Sequence, residues 1–315
     1  MTALPGSNKH ILARRGYARR RTSNVVMLLL TGLVTALTLV PLFWIIGYVV
    51  YQGGKSIDWA FFTQLPRPPG TAGGGVLNAI EGTILLIALS SLFAIPPGVL
   101  AAFYAAYYPN TPLGVAVRFS TDVLSGVPSI VIGLFLYGLV VKTQGHFSAL
   151  AGGIALAILM LPTIIRTTEE MLKLVPPSMR EASLALGAPE WKTSLSVVLP
   201  AAGNGLITGF LLGLARASGE TAPLLFTALG NEYFDFVGQM RSGLAAGHDP
   251  FTVLAGILGQ PVDSLPLTLW KYAQQPYPER TQQAWAAALV LMGLVLVTNI
   301  TARLWIAIRA RRMQG

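Results

Sequence analysis

The chain has 315 residues, of which 53% are hydrophobic and only 11% are charged, and its mean hydropathy is +0.60. Soluble domains carry about a quarter charged residues, so this composition excludes an ordinary soluble domain and favours a polytopic membrane protein. The formal net charge of +9 does not indicate nucleic-acid binding, because the basic residues flank apolar segments instead of forming one patch. The absence of cysteine excludes disulfides, thiolate chemistry and iron–sulfur clusters.

Six apolar segments are long enough to cross the hydrocarbon core of a bilayer, which takes about 20 helical residues. In chain order they are 25–51, 82–107, 123–141, 147–165, 201–228 and 284–302. We therefore predict an all-α integral membrane protein with six transmembrane helices. The proline pair at 96–97 and the Gly-Val-Pro turn at 126–128 are expected to kink the second and third spans, which is tolerated where neighbouring helices satisfy the freed backbone groups.

Basic residues flank the outermost spans and predict the orientation. Six precede the first span and four follow the last: Lys9, Arg14, Arg15, Arg19, Arg20, Arg21, Arg303, Arg309, Arg311 and Arg312. Since an even number of spans puts both ends on one side, and basic residues accumulate inside, both termini are predicted to be cytoplasmic. The chain then divides into a basic N-terminus (1–24), a first transmembrane helix (25–51) and a core of five further spans (76–308). That core contains an inner loop at 173–200 and an outer loop at 231–283, in which VGQMRSGLAAG and FTVLAGILGQ predict short helices.

The inner loop includes the sequence VPPSMREASLALGAPEWKTSLSVVLPAA (175–202), which predicts two short helices separated by a glycine. Pro176 and Pro177 are typical of the first turn of a helix. Gly187 can adopt the left-handed conformation that ends a helix, and Pro189 suits the first turn of the next one. A hinged helix on the inner membrane face would suit the docking of a cytoplasmic partner. An ordinary amphipathic loop has the same physical pattern, so these features alone leave both interpretations open.

The same loop carries a spaced pattern of seven residues, which are Glu181, Ala182, Ser183, Gly187, Val197, Leu199 and Pro200. Three residues separate the first triplet from the glycine, nine separate the glycine from the valine, and one follows the valine. The pattern resembles the EAA signature of bacterial ABC importer permeases, from which Ser183 and Val197 are the only departures. This resemblance implies that Glu181, Ala182 and Ser183, with Gly187 and Leu199-Pro200, form coupling helices that fit a groove on an ATP-hydrolysing subunit.

The chain itself is not expected to bind ATP. The segment GAPEWKTS is like half of a phosphate-binding loop, but Trp191 stands where that motif requires glycine. The three histidines, His10, His146 and His248, have no metal-ligand spacing. We therefore predict a transport subunit with no catalytic residue, no metal and no cofactor, whose nucleotide chemistry belongs to a partner.

Three further motifs narrow the resemblance. VPSIVIGLF (127–135), LPTIIRTTEEML (161–172) and ARASGETAPLLFT (215–227) are similar to the phosphate-specific permeases of ABC importers, in particular the PstA type, over nearly all of the chain from about residue 82. The resemblance implies a type I importer permease fold in the bacterial inner membrane. It also implies four kinds of partner: a second homologous permease, two copies of an ATPase, an outer phosphate-binding protein, and phosphate itself.

Two charges lie inside the fifth predicted span, in GFLLGLARASGETAPLLFTALG (209–230). Arg216 and Glu220 are four residues apart, and charged side chains at that depth usually face a protein interior or a solute path. An ion pair within one helix, or bonds to other helices for assembly, would also explain them. Arg166 ends the fourth predicted span, where an arginine that extends to the membrane surface is common. The resemblance implies that all three line the phosphate path, with Arg166 near its cytoplasmic end.

Two other functions remain as alternatives. An importer of another oxyanion, such as molybdate or sulfate, would share the coupling loop but should lack the R-x-S-G-E-T-A-P pattern that begins at Arg216. An ion-driven secondary transporter would need neither the coupling loop nor an ATPase.

Overall fold

A computed structural model describes residues 7–71 and 73–312, and in this part of the chain the regular structure is helical. We number the helices in chain order as α1 Ser7–Gly54, α2 Trp59–Thr63, α3 Leu77–Tyr107, α4 Pro112–Gly126, α5 Ser129–Gln144, α6 Ala149–Lys173, α7 Pro177–Ala185, α8 Glu190–Ala201, α9 Gly203–Ser218, α10 Ala222–Thr227, α11 Phe236–Ala245, α12 Pro250–Leu258, α13 Leu265–Ala273 and α14 Pro278–Arg312. Both α5 and α8 include one π-helical turn.

The first helix forms a unit of its own as far as Tyr51, and the second unit begins at Gln52. The apolar part of α1 is Arg20–Gly54, which contains the predicted first span. Of the predicted basic N-terminus, residues 1–6 lie outside the described residues, and residues 7–24 are the start of α1.

Four described helices are long and apolar enough to cross a membrane: Arg20–Gly54 of α1, α3, α6, and Pro278–Leu304 of α14. Two further pairs pass the same test only when taken together, α4 with α5 and α8 with α9, and they are bent by 104° and 75°. Six spans are reached if each bent pair counts as one span, so the number of spans and the side of the termini stay predictions. The helix α3 continues through Pro96 and Pro97 without a break.

The third predicted span, 123–141, is wrong as a continuous helix. Its residues are divided between α4, which ends at Gly126, and α5, which begins at Ser129. Pro128 cannot donate a backbone hydrogen bond and disfavours helical geometry at the residue before it. Val127 accordingly has an extended ψ of 128°. The proline therefore breaks the helix that it was expected only to kink.

The fifth predicted span, 201–228, is wrong for a related reason. The helix α9 ends at Ser218, and the short helix α10 begins four residues later, at Ala222. Pro223 has no N–H to donate to the carbonyl of Gly219, and its ring would clash with that carbonyl in a continuous helix. Arg216 consequently lies in the last turn of α9, whereas Glu220 lies beyond its end.

The second unit is built around α6, whose most apolar stretch is 67% buried. Glycines allow α3 to approach it closely, which is a common device between membrane helices. A Cβ added to Gly152 would come within 2.9 Å of the Leu86 side chain, and one added to Gly153 within 2.7 Å of Leu89. These contacts lie in the main hydrophobic core. Close packing on α3 therefore fixes the rotation of α6, and with it the direction in which Arg166 points.

The predicted outer loop is largely helical and is tied to α3. The two short helices expected there are confirmed as α11 and α12, and α13 was not predicted. Asp263 is 1% exposed and pairs with Lys271 at 2.6 Å. The Asn78 side chain donates to the carbonyl of Asn231 at 3.0 Å, and the Thr83 hydroxyl accepts from the N–H of Leu265 at 2.8 Å. This loop is therefore an ordered part of the second unit.

Candidate functional site

Charged side chains from α4, α6 and α9 line one cavity of about 250 Å³. Asp122 comes from α4, Arg166 from α6 and Arg216 from α9. The other lining residues are Thr121, Leu124, Ser125, Leu159, Pro162 and Thr163. Two of the three predicted path residues, far apart in the sequence, therefore face the same space. We name this space the arginine cavity.

Arg166 makes a close ion pair at this cavity. Its Nη1 donates to Oδ1 of Asp122 at 2.5 Å, and the two side chains are 58% and 61% exposed. The helix α6 continues to Lys173, so Arg166 lies within the helix, not at its end as the span boundary predicted. An arginine that only extended to the membrane surface would need no carboxylate partner. The observed geometry thus favours the interpretation of Arg166 as a cavity residue.

Arg216 has a looser partner. Its Nε lies 3.9 Å from Oε1 of Glu220, beyond hydrogen-bonding distance, and the side chains are 46% and 19% exposed. Because α9 ends between the two residues, they are not a pair on the surface of one helix. Arg216 therefore keeps much of its hydrogen-bonding capacity available to the cavity, while Glu220 supplies a nearby counter-charge.

A second charged cluster joins α4 to α6. Glu169 is 6% exposed and accepts from Lys173 of the same helix at 2.6 Å. It also pairs with Arg118 of α4, whose Nη2 lies at 2.6 Å, and Arg118 further donates to the carbonyl of Ala105 at 2.8 Å. This cluster is saturated with internal partners, so it acts as a structural tie.

The predicted coupling helix is α7, and Gly187 ends it as expected. Gly187 has φ +84°, in the left-handed region. Its N–H donates to the carbonyl of Leu184 at 2.9 Å, and the N–H of Ala188 donates to the carbonyl of Ser183 at 3.3 Å. These two bonds form a Schellman motif, which satisfies carbonyls that the last helical turn leaves without partners. Glycine is suited to this position because it adopts positive φ without steric cost.

The remaining residues of the EAA pattern are divided between two helices. Glu181 and Ala182 are exposed on α7, and the Ser183 hydroxyl bonds to that of Thr193 in α8 at 2.9 Å. Leu199 is half-buried and Pro200 exposed, both in α8. The structure therefore places the first part of the pattern on α7, and the final Leu-Pro at the end of α8, the helix that leads into α9.

Glu190 joins α7, α8 and α3. It accepts from Arg180 of α7 at 3.1 Å and from the Tyr108 hydroxyl, which follows α3, at 2.8 Å. This hydrogen bond to a carboxylate raises the pKa of Tyr108 above its ordinary value. The Arg180 guanidinium also lies 5.0 Å from the centre of the Tyr107 ring. The predicted coupling helix α7 is thereby linked to the end of α3.

Comparison with known proteins identifies the family. A family model described as "Binding-protein-dependent transport system inner membrane component" matches residues 98–314. The chain belongs to this family. It is 42% identical to the phosphate transport system permease protein PstA of Yersinia pestis over 291 residues, which cover 92% of each chain. It is 35% identical to that of Mycobacterium leprae, over 98% of this chain and 96% of the other.

Solved structures of ABC importers share the fold. The chain is similar to one of the inward-facing MetNI methionine ABC transporter, with a TM-score of 0.55, 17% identity, and coverage of 74% of this chain and 94% of that one. It also resembles a bacterial ABC transporter involved in the import of the acidic polysaccharide alginate, with a TM-score of 0.55, 14% identity, and coverage of 92% and 98%. This permease is therefore a multi-pass protein of the bacterial inner membrane, as its apolar helices require.

The sequence interpretation assigned no functional role to three residues of this permease. Asp122 is next to a predicted span, and Arg118 lies four residues before it, a spacing that places both on one face of α4. That spacing was the available signal. Glu190 lies between the EAA triplet and the final Leu-Pro, and the sequence contains no hint of its contact with Tyr108. Only the packing of α3 against the loop brings these residues together.

Proposed function

We propose that this chain is the membrane-spanning permease subunit of an ATP-driven importer of inorganic phosphate. The observation that carries the proposal is the arginine cavity, in which Arg166 and Arg216 reach the same space from different helices. A guanidinium stays charged at every working pH and offers a planar fork that matches phosphate oxygens. Thr121, Ser125 and Thr163 also line this volume, which suits a small anion. The Thr121 and Ser125 hydroxyls donate to the carbonyls of Val117 and Asp122, so the two guanidinium groups are the main donors.

The relatives support phosphate as the substrate. Proteins 35–42% identical to this chain over more than nine-tenths of its length are named phosphate transport system permeases.

Glu220 adds a chemical reason for selectivity. Near neutral pH phosphate retains at least one proton, which a carboxylate can accept in a hydrogen bond, whereas sulfate has none and would only be repelled. A site built around such a donor can reject an analogue that lacks it.

The chain works, in this proposal, within a larger assembly. A second homologous permease completes the membrane pathway, two ATPase subunits bind at the cytoplasmic face, and an outer protein delivers phosphate. The coupling helix α7 carries the motion of the ATPases to the membrane helices through the bonds of Glu190 and Ser183. The loop around α7 suits docking, because Leu186, which follows α7, is 90% exposed and Trp191 of α8 is 67% exposed. Glu181 of α7 is also exposed. Alternating access then exposes the arginine cavity to each side in turn.

Purification of a tagged chain from its own membranes tests the assembly, and uptake by the purified complex tests the substrate. We expect an ATPase and a second permease to copurify, and proteoliposomes to accumulate phosphate only with ATP and the binding protein. Arg166→Gln should abolish uptake, whereas Arg241→Gln, which removes an exposed positive charge on α11, should not. Uptake of molybdate or sulfate in place of phosphate would identify a different oxyanion importer. Transport without the ATPase would refute the ATP-driven mechanism.

A further inference from the structure

Two ion pairs of opposite polarity cross the same interface between α4 and α6. On α4, Arg118 precedes Asp122 by one helical turn, and on α6, Arg166 precedes Glu169 by three residues. Arg118 pairs with Glu169, and Asp122 pairs with Arg166. Their different surroundings indicate that they have different roles.

The surroundings of the Arg118–Glu169 ion pair keep it intact. The Glu169 side chain is 7% exposed, and it is held by two cations, since Lys173 bonds to the same Oε1 as Arg118. Arg118 in turn is anchored to the carbonyl of Ala105. Breaking this pair would leave a buried carboxylate partly uncompensated, which is costly.

The Asp122–Arg166 pair is exchangeable. Both side chains are more than half exposed and both line the arginine cavity. Among the described residues, Asp122 is the hydrogen-bond acceptor of the Arg166 guanidinium, and Arg166 is the salt-bridge partner of Asp122. An anion that entered the cavity could therefore take the place of the carboxylate without breaking any other bond of Arg166.

We propose that Asp122 is the internal counter-ion of the anion path, and that phosphate must displace it from Arg166 to bind. This inference rests on the proposed phosphate-import function. With the cavity empty, Asp122 neutralises Arg166. When phosphate enters, its oxygens replace the carboxylate, so the guanidinium is never left without a negative partner. When Asp122 rebinds Arg166, it competes phosphate off, so the same residue limits affinity and promotes release.

The two arginines then contribute unequally. Arg216 lies 3.9 Å from Glu220, so it can receive phosphate without first losing a hydrogen bond. Arg166 is bonded to Asp122 at 2.5 Å, so it can bind phosphate only after phosphate has replaced that carboxylate. The geometry therefore orders the two steps, with capture at Arg216 and then exchange at Arg166. Both residues must be engaged before phosphate is fully held.

Phosphate binding to the assembled complex, measured without the outer binding protein, tests this role. Equilibrium dialysis of radiolabelled inorganic phosphate against the purified complex gives the affinity, and proteoliposomes give KM and kcat. We expect Asp122→Asn to bind phosphate about five- to tenfold more tightly, because a competing half-exposed charge pair has been removed. Both KM and kcat should fall, since release slows. Asp122→Glu keeps the carboxylate and should stay close to the wild type.

Glu169→Gln is the matched control, because it breaks the other ion pair of the same helix interface. It should lower the yield of assembled complex, while the complex that does assemble binds phosphate with unchanged affinity. Asp122→Asn combined with Arg166→Gln removes both charges of the ion pair, so no unpaired charge remains. This double variant should bind phosphate more tightly than Arg166→Gln alone, in which the Asp122 carboxylate repels the anion. It also supplies the answer if Asp122→Asn alone does not assemble.

Unchanged or weaker phosphate binding by Asp122→Asn, or no gain in the double variant over Arg166→Gln, would refute the counter-ion role and leave Asp122 as a tie between α4 and α6. Failure of the proposed function has a separate signature. In that case the assembled wild-type complex would neither bind nor transport phosphate, whatever residue occupies position 122.

Discussion

Gly187, which ends the proposed coupling helix α7, is the position where a small change should have the clearest effect on transport. Three substitutions form a graded series: Gly187→Asn, Gly187→Ala and Gly187→Val. All three preserve the length and charge of the loop. They differ in how well the new residue tolerates the left-handed backbone at φ +84°.

The magnitude follows from the surroundings of this glycine. Apart from its two chain neighbours, no heavy atom of the described residues lies within 4 Å of a Cβ added at Gly187, so that Cβ meets no steric clash. The cost therefore comes from the backbone alone, and for alanine it is about 1–2 kcal/mol. Asparagine tolerates this region better than other non-glycine residues, and a β-branched valine tolerates it worst. A loss of about 1–2 kcal/mol lowers the equilibrium ratio of the native helix end to its alternatives by roughly 5- to 30-fold.

Coupled uptake in proteoliposomes measures the consequence. The complex is reconstituted with its ATPase and binding protein, and phosphate accumulated per ATP hydrolysed is compared among variants of equal membrane abundance. We expect Gly187→Asn to lower the phosphate accumulated per ATP slightly and Gly187→Ala to lower it more. Gly187→Val should accumulate no phosphate. Gly203→Ala is the matched control. That glycine also has open space around it, but it begins α9 without a positive φ, so alanine should be neutral or slightly stabilising.

Two results would refute this reasoning. Wild-type coupling by Gly187→Val would show that the left-handed end of α7 is not needed to transmit motion. An equal loss for all three substitutions would indicate that any side chain blocks the ATPase groove, in which case contact, not backbone conformation, is the cause.

Three further predictions concern single charged residues. Arg216→Gln should reduce phosphate uptake about tenfold or more, and Arg216→Lys should restore little of it, because a point charge does not reproduce a bidentate fork; near-normal uptake by the Gln variant would make the residue structural. Glu220→Gln, in vesicles with a leaky complex that needs no binding protein, should lose phosphate flux and discriminate less against sulfate, whereas an unchanged preference would leave Glu220 as a counter-ion to Arg216. Glu190→Gln should lower the phosphate accumulated per ATP more than it lowers phosphate affinity. A difference titration should show the pKa of Tyr108 falling towards its ordinary value. No change in either quantity would show that Glu190 has no role in coupling.

Local features of the chain were sufficient to predict much of this permease from its sequence. Long apolar runs require helices in a bilayer, since every backbone group must be satisfied within the segment. The end of the coupling helix was also predictable. Gly187 and the proline that follows two residues later are local signals for a helix end and a new start, and the observed φ of +84° confirms the first of them.

The broken spans were only partly predictable from the sequence. Pro128 and Pro223 are visible in the sequence, and each removes a backbone donor from the helix that would contain it. What their positions do not specify is the size of the bend. The 104° angle between α4 and α5 depends on how each half packs against its neighbours, as when Gly133 of α5 approaches the backbone of Pro223 so closely that an added Cβ would lie at 2.6 Å.

Only the tertiary structure decided which charged residues meet. Asp122 and Arg166 are 44 residues apart, and their pairing depends on the rotation of α4 and α6 about their axes. That rotation is set by contacts remote from the charges, such as Gly152 and Gly153 against α3. A shift of one residue along a helix turns a side chain by about 100°, which would remove Arg166 from the cavity. The sequence by itself therefore determined where the apolar helical segments lie and that Gly187 ends a helix, while packing alone decided that Arg166, Arg216 and Asp122 share one site.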